Sequence, residues 1–161
     1  MAKTKHQFED FLICVSDEYK DFVTTVHEFL QNNFKPGIRT TKNGLSISYS
    51  HPGGINRILG FSFSKDGLMV QINAENHGKY TDVLNRMPKN IEAQVAKADD
   101  CRKLIGKKCG WDTCPPGYDF FIGKNHYQKC RYSCFKLNVD RESIPFLLKL
   151  LKSESKERLA V

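Results

Sequence analysis

Apolar residues recur at steps of three and four in the N-terminal part of the chain, which is the spacing of one face of a helix. A serine followed by two acidic residues at 16–18 is typical of a helix N-terminus. We therefore expect a short first helix, a break near Val15, and a longer helix from about residue 17 to residue 32. Cys14 and His27 fall within these helices, where we expect a core thiol and a surface histidine. The apolar positions are Phe8, Phe11, Leu12, Val15, Tyr19, Phe22, Val23, Val26, Phe29 and Leu30.

A period of two replaces the helical spacing between Leu45 and Ile72, so this segment is expected to form half-buried strands. Asn43-Gly44 and Asp66-Gly67 supply glycines that can adopt the positive φ of tight turns. The expected product is an antiparallel meander with one face against the N-terminal helices. The alternating apolar residues are Leu45, Ile47 and Tyr49, then Phe61 and Phe63, then Leu68, Val70 and Ile72.

The second half of the chain returns to helical spacing before a cysteine-rich stretch. One helix is expected to end at Pro88, because proline cannot continue it. A second helix is expected from residue 90 to about residue 104, which places Cys101 in its last turns. The apolar face of the first of these helices consists of Tyr80, Val83, Leu84 and Met87.

A hairpin and a last helix are expected after the cysteine-rich stretch. Residues 118–122 and 126–139 flank the turn residues 123–125. The sequence SIP at 143–145 opens the last helix, since proline is tolerated in the first turn of a helix. The tail from Ser153 is expected to fray.

The predicted elements define an α+β fold. Its antiparallel sheet, a meander plus a C-terminal hairpin, is expected to pack against N-terminal, central and C-terminal helices. With 161 residues and 40% hydrophobic residues, the chain is long enough to bury a core without a staple. We expect one α+β domain, 1–161, with a cysteine-rich knuckle at 101–134.

The sequence also predicts where the protein resides. No apolar run approaches the roughly 20 residues that a membrane helix needs, and the N-terminus lacks the apolar core of a secretory signal. We therefore expect a cytoplasmic protein with no membrane partner. In a reducing compartment, clustered cysteines are more often metal ligands or reactive thiols than disulfides.

Five of the six cysteines lie in the stretch 100–137. A structural zinc site needs four thiolate or imidazole ligands in a tetrahedron. Cys109 and Cys114 lie in a stretch rich in Gly, Pro and Trp, CGWDTCPPG at 109–117, so both can reach one ion. Cys130 and Cys134 would lie about 13 Å apart on a regular strand, which is too far for a shared ion.

The preferred zinc ligands are therefore Cys101, Cys109, Cys114 and Cys130, with Cys134 a buried spare thiol. The second choice replaces Cys101 with Cys134 or His126. Free core thiols remain an alternative to a metal site, as do disulfides or thiol redox chemistry. Iron can take the place of zinc, because thiolate quartets also hold iron.

The positive charge of the chain coincides with the cysteines. Residues 1–100 carry 12 Lys and Arg against 12 Asp and Glu, whereas residues 101–136 carry eight against two. These cations can offset the charge of a zinc–thiolate centre, or they can meet the phosphates of a nucleic acid. The expected basic surface consists of Arg102, Lys103, Lys107, Lys108, Lys129 and Arg131.

Short motifs along the chain carry a resemblance. They are Gly44-Leu45, Gly67-Leu68, CRKL at 101–104, GYDF at 117–120 and KCRY at 129–132. On these motifs the chain resembles a family of bacterial proteins with no assigned activity and, more distantly, the YdhG-like and MmcQ/YjbR-like small α/β domains. The resemblance implies a sheet with helices packed on one side. The labels of the distant relatives are iron-chaperone-like and DNA-binding.

These observations predict a cytoplasmic binding or regulatory domain with a structural zinc knuckle and a basic surface for an anionic ligand or partner. A nucleic-acid-binding protein would use the same cations, and a thiol-dependent enzyme would need a cysteine with a lowered pKa. We assign no catalytic residue, and a non-catalytic role is favoured over an enzyme.

Overall fold

The computed structural model of the chain describes residues 5–52, 56–110 and 112–160. The chain divides into two compact units, residues 1–71 and 72–161, and the expected single domain stays a prediction. The strands form a five-stranded sheet and a two-stranded hairpin, and helices occur near the N-terminus, in the centre and at the C-terminus of the chain. The predicted α+β class with an antiparallel sheet is confirmed.

The first unit contains two helices and most of the sheet. Its elements are α1 (Phe8–Cys14), α2 (Asp17–Leu30), β1 (Lys35–Thr41), β2 (Gly44–Ser50), β3 (Arg57–Ser64) and β4 (Gly67–Ile72), whose last residue begins the second unit. The break between the helices and the three strands β2 to β4 agree with the predicted pattern. Gly44 and Gly67 have φ values of 117° and 112°, so both turns use a backbone region that favours glycine.

β1 is a strand that the hydrophobic pattern does not reveal. It lies at one edge of the sheet and pairs antiparallel with β2, so that Ile38 is opposite Ile47. All of its residues except Ile38 are exposed. A strand with no buried face shows no period of two, and Pro36 is tolerated because an edge strand has a neighbour on one side only.

Cys14 and His27 differ from their expected environments. Cys14 is exposed instead of being a core thiol. His27 is partly buried, with its ring stacked on Phe8 at a centroid distance of 3.7 Å. Its Nδ1 lies 2.7 Å from the hydroxyl oxygen of Tyr49. The polar tip of this buried tyrosine requires a partner, which is the physical reason that His27 turns inward.

The second unit contains the hairpin and three α-helices. Its elements are a short 3-10 helix (His77–Lys79), α3 (Thr81–Asn85), α4 (Lys89–Lys97), β5 (Tyr118–Ile122), β6 (Asn125–Lys129), β7 (Lys136–Asn138) and α5 (Ile144–Leu159). β5 and β6 pair as the hairpin, and β7 joins the sheet, whose order is β1-β2-β3-β4-β7. Tyr118 and Phe120 of β5 pack against Phe135, with ring centroids 4.9 and 5.8 Å apart, and these rings form the core beneath the hairpin.

The helix that was expected to carry Cys101 ends at Lys97 instead. The Lys129 Nζ donates hydrogen bonds to the backbone oxygens of Ala96 at 3.1 Å and Ala98 at 2.9 Å. A cation at the C-terminus of a helix satisfies carbonyl groups that have no partner within the helix. Cys101 therefore lies in an extended segment beside β6.

The strand expected at 126–139 is two strands separated by a helical turn. β6 ends at Lys129, and β7 begins at Lys136. Between them, the amide of Cys134 donates to the carbonyl oxygen of Cys130 at 2.9 Å, which is the hydrogen bond of one helical turn. The apolar alternation around these cysteines therefore does not come from a single strand.

α5 continues to Leu159, so the expected fraying from Ser153 is wrong. Glu154 is fully buried, and its carboxylate accepts hydrogen bonds from the side chains of Asn76 and Tyr80. This buried anchor holds the last turns of the helix. A hydropathy pattern misses it, because glutamate is counted as a surface residue.

Candidate metal and anion site

The four preferred ligand cysteines line one cavity in the second unit. Cys101, Cys109, Cys114 and Cys130 surround a space of about 460 Å³. They come from three parts of the chain: the extended segment after α4, the loop before β5, and the turn after β6. The fold thus brings together the residues that the preferred quartet requires, and their binding of a metal stays a prediction.

Cys101 is held in place by backbone groups. Its amide donates to the carbonyl oxygen of Gln128 at 2.8 Å, along the edge of β6. Its sulfur accepts a hydrogen bond from the amide of Gly117 at 3.3 Å. A Cβ at position 117 would lie 3.0 Å from the Cβ of Cys101 and would overlap the backbone oxygen of Lys129. The close approach of these segments therefore requires glycine.

Cys109 and Cys114 lie in the irregular loop before β5. The Lys103 Nζ donates to the backbone oxygen of Asp112 at 3.0 Å and to that of Cys114, which ties the loop to the rest of the unit. Burial raises the pKa of the Cys114 thiol, and the neighbouring Cys109 raises it further. Cys114 is therefore a protonated thiol at neutral pH when no metal is bound. Trp111 lies outside the described residues.

Cys130 and Cys134 occupy one helical turn, not a strand. Residues four apart in such a turn have Cβ atoms about 5 to 6 Å apart, so the distance argument against a shared ion no longer applies. Cys134 is only 1% exposed, and burial raises the pKa of its thiol. It is not among the residues that line the cavity, whereas Cys130 is.

His126, the other substitute ligand, lies on the hairpin and does not line the cavity. Its Nε2 is 2.5 Å from Oδ1 of Asp119, and its ring stacks on Phe121 at a centroid distance of 4.3 Å. The hydrogen bond from His126 is the main reason that the pKa of Asp119 is lowered. Both its polar and its aromatic contacts are thus made within the hairpin.

The thiols are gathered but do not form a closed coordination shell. All six cysteines are free. Among residues 5–52, 56–110 and 112–160, no three His, Cys, Asp or Glu side chains are placed so that they could hold a metal ion. A four-thiolate centre would therefore require these thiols to come closer together. Cys109 and Cys114 lie outside the helices and strands, so a movement of their loop breaks no hydrogen-bonded ladder.

The expected basic surface is only partly a surface. The prediction that Lys129 belongs to the surface is wrong, because its side chain is only 9% exposed. Its Nζ lies 2.9 Å from Oδ1 of Asp100 and also binds the carbonyl groups at the end of α4. Arg131 is partly buried and lies 3.1 Å from the carboxylate of Glu75. Lys103 is partly buried and bonded to the loop. The exposed members are Arg102, Lys107 and Lys108, of which the first two line the cavity.

Two residues that shape this region, Gly117 and Phe121, were not identified from the sequence. Gly117 makes the close approach to Cys101, and the only signal is a glycine after two prolines at the start of a strand. Phe121 is 54% exposed on the hairpin, although its neighbours Phe120 and Ile122 are buried. Its outward position follows from the period of two along β5, once Tyr118 is known to face inward.

No protein-family model, curated protein or solved structure matches the chain. The resemblance to the YdhG-like and MmcQ/YjbR-like domains therefore stays a prediction. Within the part of the chain that the structure describes, no helix has the length and apolar character needed to cross a membrane. The fold and the site define an α+β chain with a cavity lined by four cysteines together with three cations and the carboxylates of Asp99 and Asp100.

Proposed function

We propose that this chain is a non-catalytic binding domain in which Cys101, Cys109, Cys114 and Cys130 hold a structural zinc ion. The cations next to the site would receive an anionic ligand or partner. The observation that supports this proposal is that all four thiols line one cavity together with Arg102 and Lys107. Four thiolates around zinc carry a net charge of about −2, which nearby cations offset.

The proposal includes a cytoplasmic location, because six free thiols persist in a reducing compartment. It also favours a binding role over thiol catalysis. Burial raises the pKa of both Cys114 and Cys134, and a nucleophilic cysteine needs a lowered pKa.

Metal content per chain tests the zinc site. Protein purified without added metal is expected to contain about one zinc ion per chain. Five thiols should react slowly with a mild reagent, namely the four ligands and the buried Cys134, whereas the exposed Cys14 should react fast. Cys130→Ser is expected to lose the metal, because zinc requires four ligands. Cys14→Ser is the matched control and should keep it, since Cys14 is exposed on α1.

Single substitutions also identify the fourth ligand. Loss of zinc in Cys101→Ser but not in Cys134→Ser would support the quartet proposed above. The reverse result would assign the fourth position to Cys134, which shares a helical turn with Cys130. Wild-type protein without metal would overturn the site, and iron in place of zinc would overturn the choice of metal.

A second candidate function, binding of single-stranded nucleic acid, is favoured by the outer face of the β5–β6 hairpin. Phe121 and His126 are cross-strand partners whose rings are nearly parallel, with an interplanar angle of 8°. Phe121 is still 54% exposed, so its other face is open to solvent. Exposed aromatic rings beside cations are the surfaces on which unpaired bases stack.

Cations border this face on two sides. The side-chain amide of Gln128 donates to the backbone oxygen of Leu104 at 3.3 Å, which places the loop that carries Arg102 and Lys107 beside the hairpin. Lys124 is exposed in the hairpin turn. These positive charges could contact phosphates while a base stacks on the open ring of the phenylalanine.

Fluorescence anisotropy with a labelled 12-nucleotide single strand tests this second candidate. Phe121→Ala is expected to weaken binding about tenfold, because the stacking of one base contributes about 1 to 3 kcal/mol. Phe29→Ala is the control, since Phe29 is an exposed phenylalanine of α2 in the first unit. Equal binding of heparin and the oligonucleotide, with no effect of Phe121→Ala, would contradict base recognition.

A further inference from the structure

A second cavity lies in the first unit, among the segment that leads into α1, the end of α2 and the start of β1. It has a volume of about 670 Å³, which is within the range of small-molecule sites. Its lining is rich in hydrogen-bond donors, among them Lys5, His27, Gln31 and Lys35, whereas Glu9 is the one carboxylate among the described residues that line it. An excess of donors favours a ligand that carries acceptors.

His27 is oriented by two neighbours. Tyr49 is completely buried, and burial raises the pKa of its phenol, so the hydroxyl keeps its proton and is able to donate it to Nδ1 of His27, which lies 2.7 Å away. Phe8 stacks on the imidazole with an interplanar angle of 5° and fixes the plane of the ring. A neutral imidazole that accepts at Nδ1 carries its proton on Nε2. In this tautomer His27 has one N–H donor left, and His27 lines the cavity.

The charges around the cavity are mainly positive. Lys5 and Lys35 outnumber Glu9, and a smaller groove of about 280 Å³ that shares Lys35 adds Arg39 and His51. Desolvation by burial lowers the pKa of His27, so the imidazole contributes a neutral donor and no charge at neutral pH. An oxyanion placed between the two ammonium groups and the imidazole N–H would accept hydrogen bonds from all three donors.

We propose that this cavity binds a small organic anion, whose carboxylate or phosphate oxygens accept hydrogen bonds from His27 Nε2 and pair with Lys5 and Lys35. The carbon part of the ligand would contact Phe8 and the apolar start of β1 at Pro36 and Ile38. The proposal goes beyond the zinc-binding function, because it concerns the first unit and involves no cysteine.

Nuclear magnetic resonance titrations of the full chain test the proposal, with succinate and inorganic phosphate as probes and sodium chloride to keep the ionic strength constant. At least one probe is expected to shift the imidazole resonances of His27 to saturation at millimolar concentration. Lys35→Gln should weaken binding about tenfold, because it removes a charge-assisted hydrogen bond. Lys35 is exposed, so this variant should fold.

Lys65→Gln is the matched control, since Lys65 is an exposed lysine in the turn between β3 and β4 and does not line the cavity. It should bind the probe as the wild type does. Saturation by succinate alone would define a carboxylate site, and saturation by phosphate alone a phosphate site. The proposal is overturned if neither probe shifts His27 to saturation, or if both lysine substitutions weaken binding equally. Zinc content plays no part in either result.

Discussion

Gly117→Ala is expected to destabilise the second unit by about 3 kcal/mol or more, the upper range for an overpacked site. The added methyl group would lie 3.0 Å from the Cβ of Cys101 and would overlap the backbone oxygen of Lys129. A flexible side chain could move away, but here the main obstacle is the backbone of β6. Either the loop must separate from β6 or the strand must shift, and each change loses the hydrogen bond from the Gly117 amide to the Cys101 sulfur.

Gly110→Ala is the matched control in the same loop. A Cβ at position 110 meets no atom within 4 Å among the described residues, and the φ of Gly110 is not in the positive region. Its effect should stay within about 0.5 kcal/mol, as for ordinary surface substitutions. Urea denaturation gives both free energies, and the rate at which Cys101 reacts with a thiol reagent shows whether the cavity opens. Equal stability of the two variants would mean that the loop does not pack against β6.

Much of the fold follows from periodicity, because a buried face imposes a period on the sequence. The break between α1 and α2 and the strands β2 to β4 were predicted in this way. β1 was not, because an edge strand exposed on both faces has no period to detect. The end of α4 was missed for another reason. Lys129 ends α4 from far along the chain, and no local pattern contains that contact.

The cysteines that line the cavity were named from the sequence, but not how the chain brings them there, and their binding of a metal stays a prediction. The gathering of Cys101 and Cys130 near the loop cysteines agrees with the preferred quartet. The route differs, since Cys101 reaches the cavity on an extended segment instead of a helix. Too many residues were assigned to the basic surface from the sequence, because a sequence does not show that Lys129 is buried. Long lysine side chains can satisfy internal acceptors, and only tertiary structure distinguishes these from surface cations.

Glu154→Gln is expected to cost about 3 to 5 kcal/mol, the range for removing one partner of a buried ion pair. Oε1 of Glu154 accepts hydrogen bonds from the backbone amide of Asn76 at 2.8 Å and from the Tyr80 hydroxyl at 2.7 Å. Oε2 accepts from the Asn76 side chain at 2.9 Å and from the Arg158 Nε at 2.8 Å. Glutamine replaces one of these oxygens with an NH2 group, so donors would face donors. Arg158, only 5% exposed, would also lose its carboxylate partner.

Glu157→Gln provides the control on the same helix. Its side chain is 25% exposed and lies 3.9 Å from a Lys79 ammonium that is 62% exposed, so the loss should stay below about 1 kcal/mol. Hydrogen exchange of the α5 amides reports the free energy of opening for both variants.

Burial raises the pKa of Tyr80, and the charge of Glu154 raises it further, so the phenol remains a donor. Tyr80→Phe should therefore cost about 1 to 2 kcal/mol, less than Glu154→Gln, since it removes one of four hydrogen bonds to the carboxylate and leaves its charge paired. A loss below about 1 kcal/mol in Glu154→Gln would show that this network does not hold α5 in place.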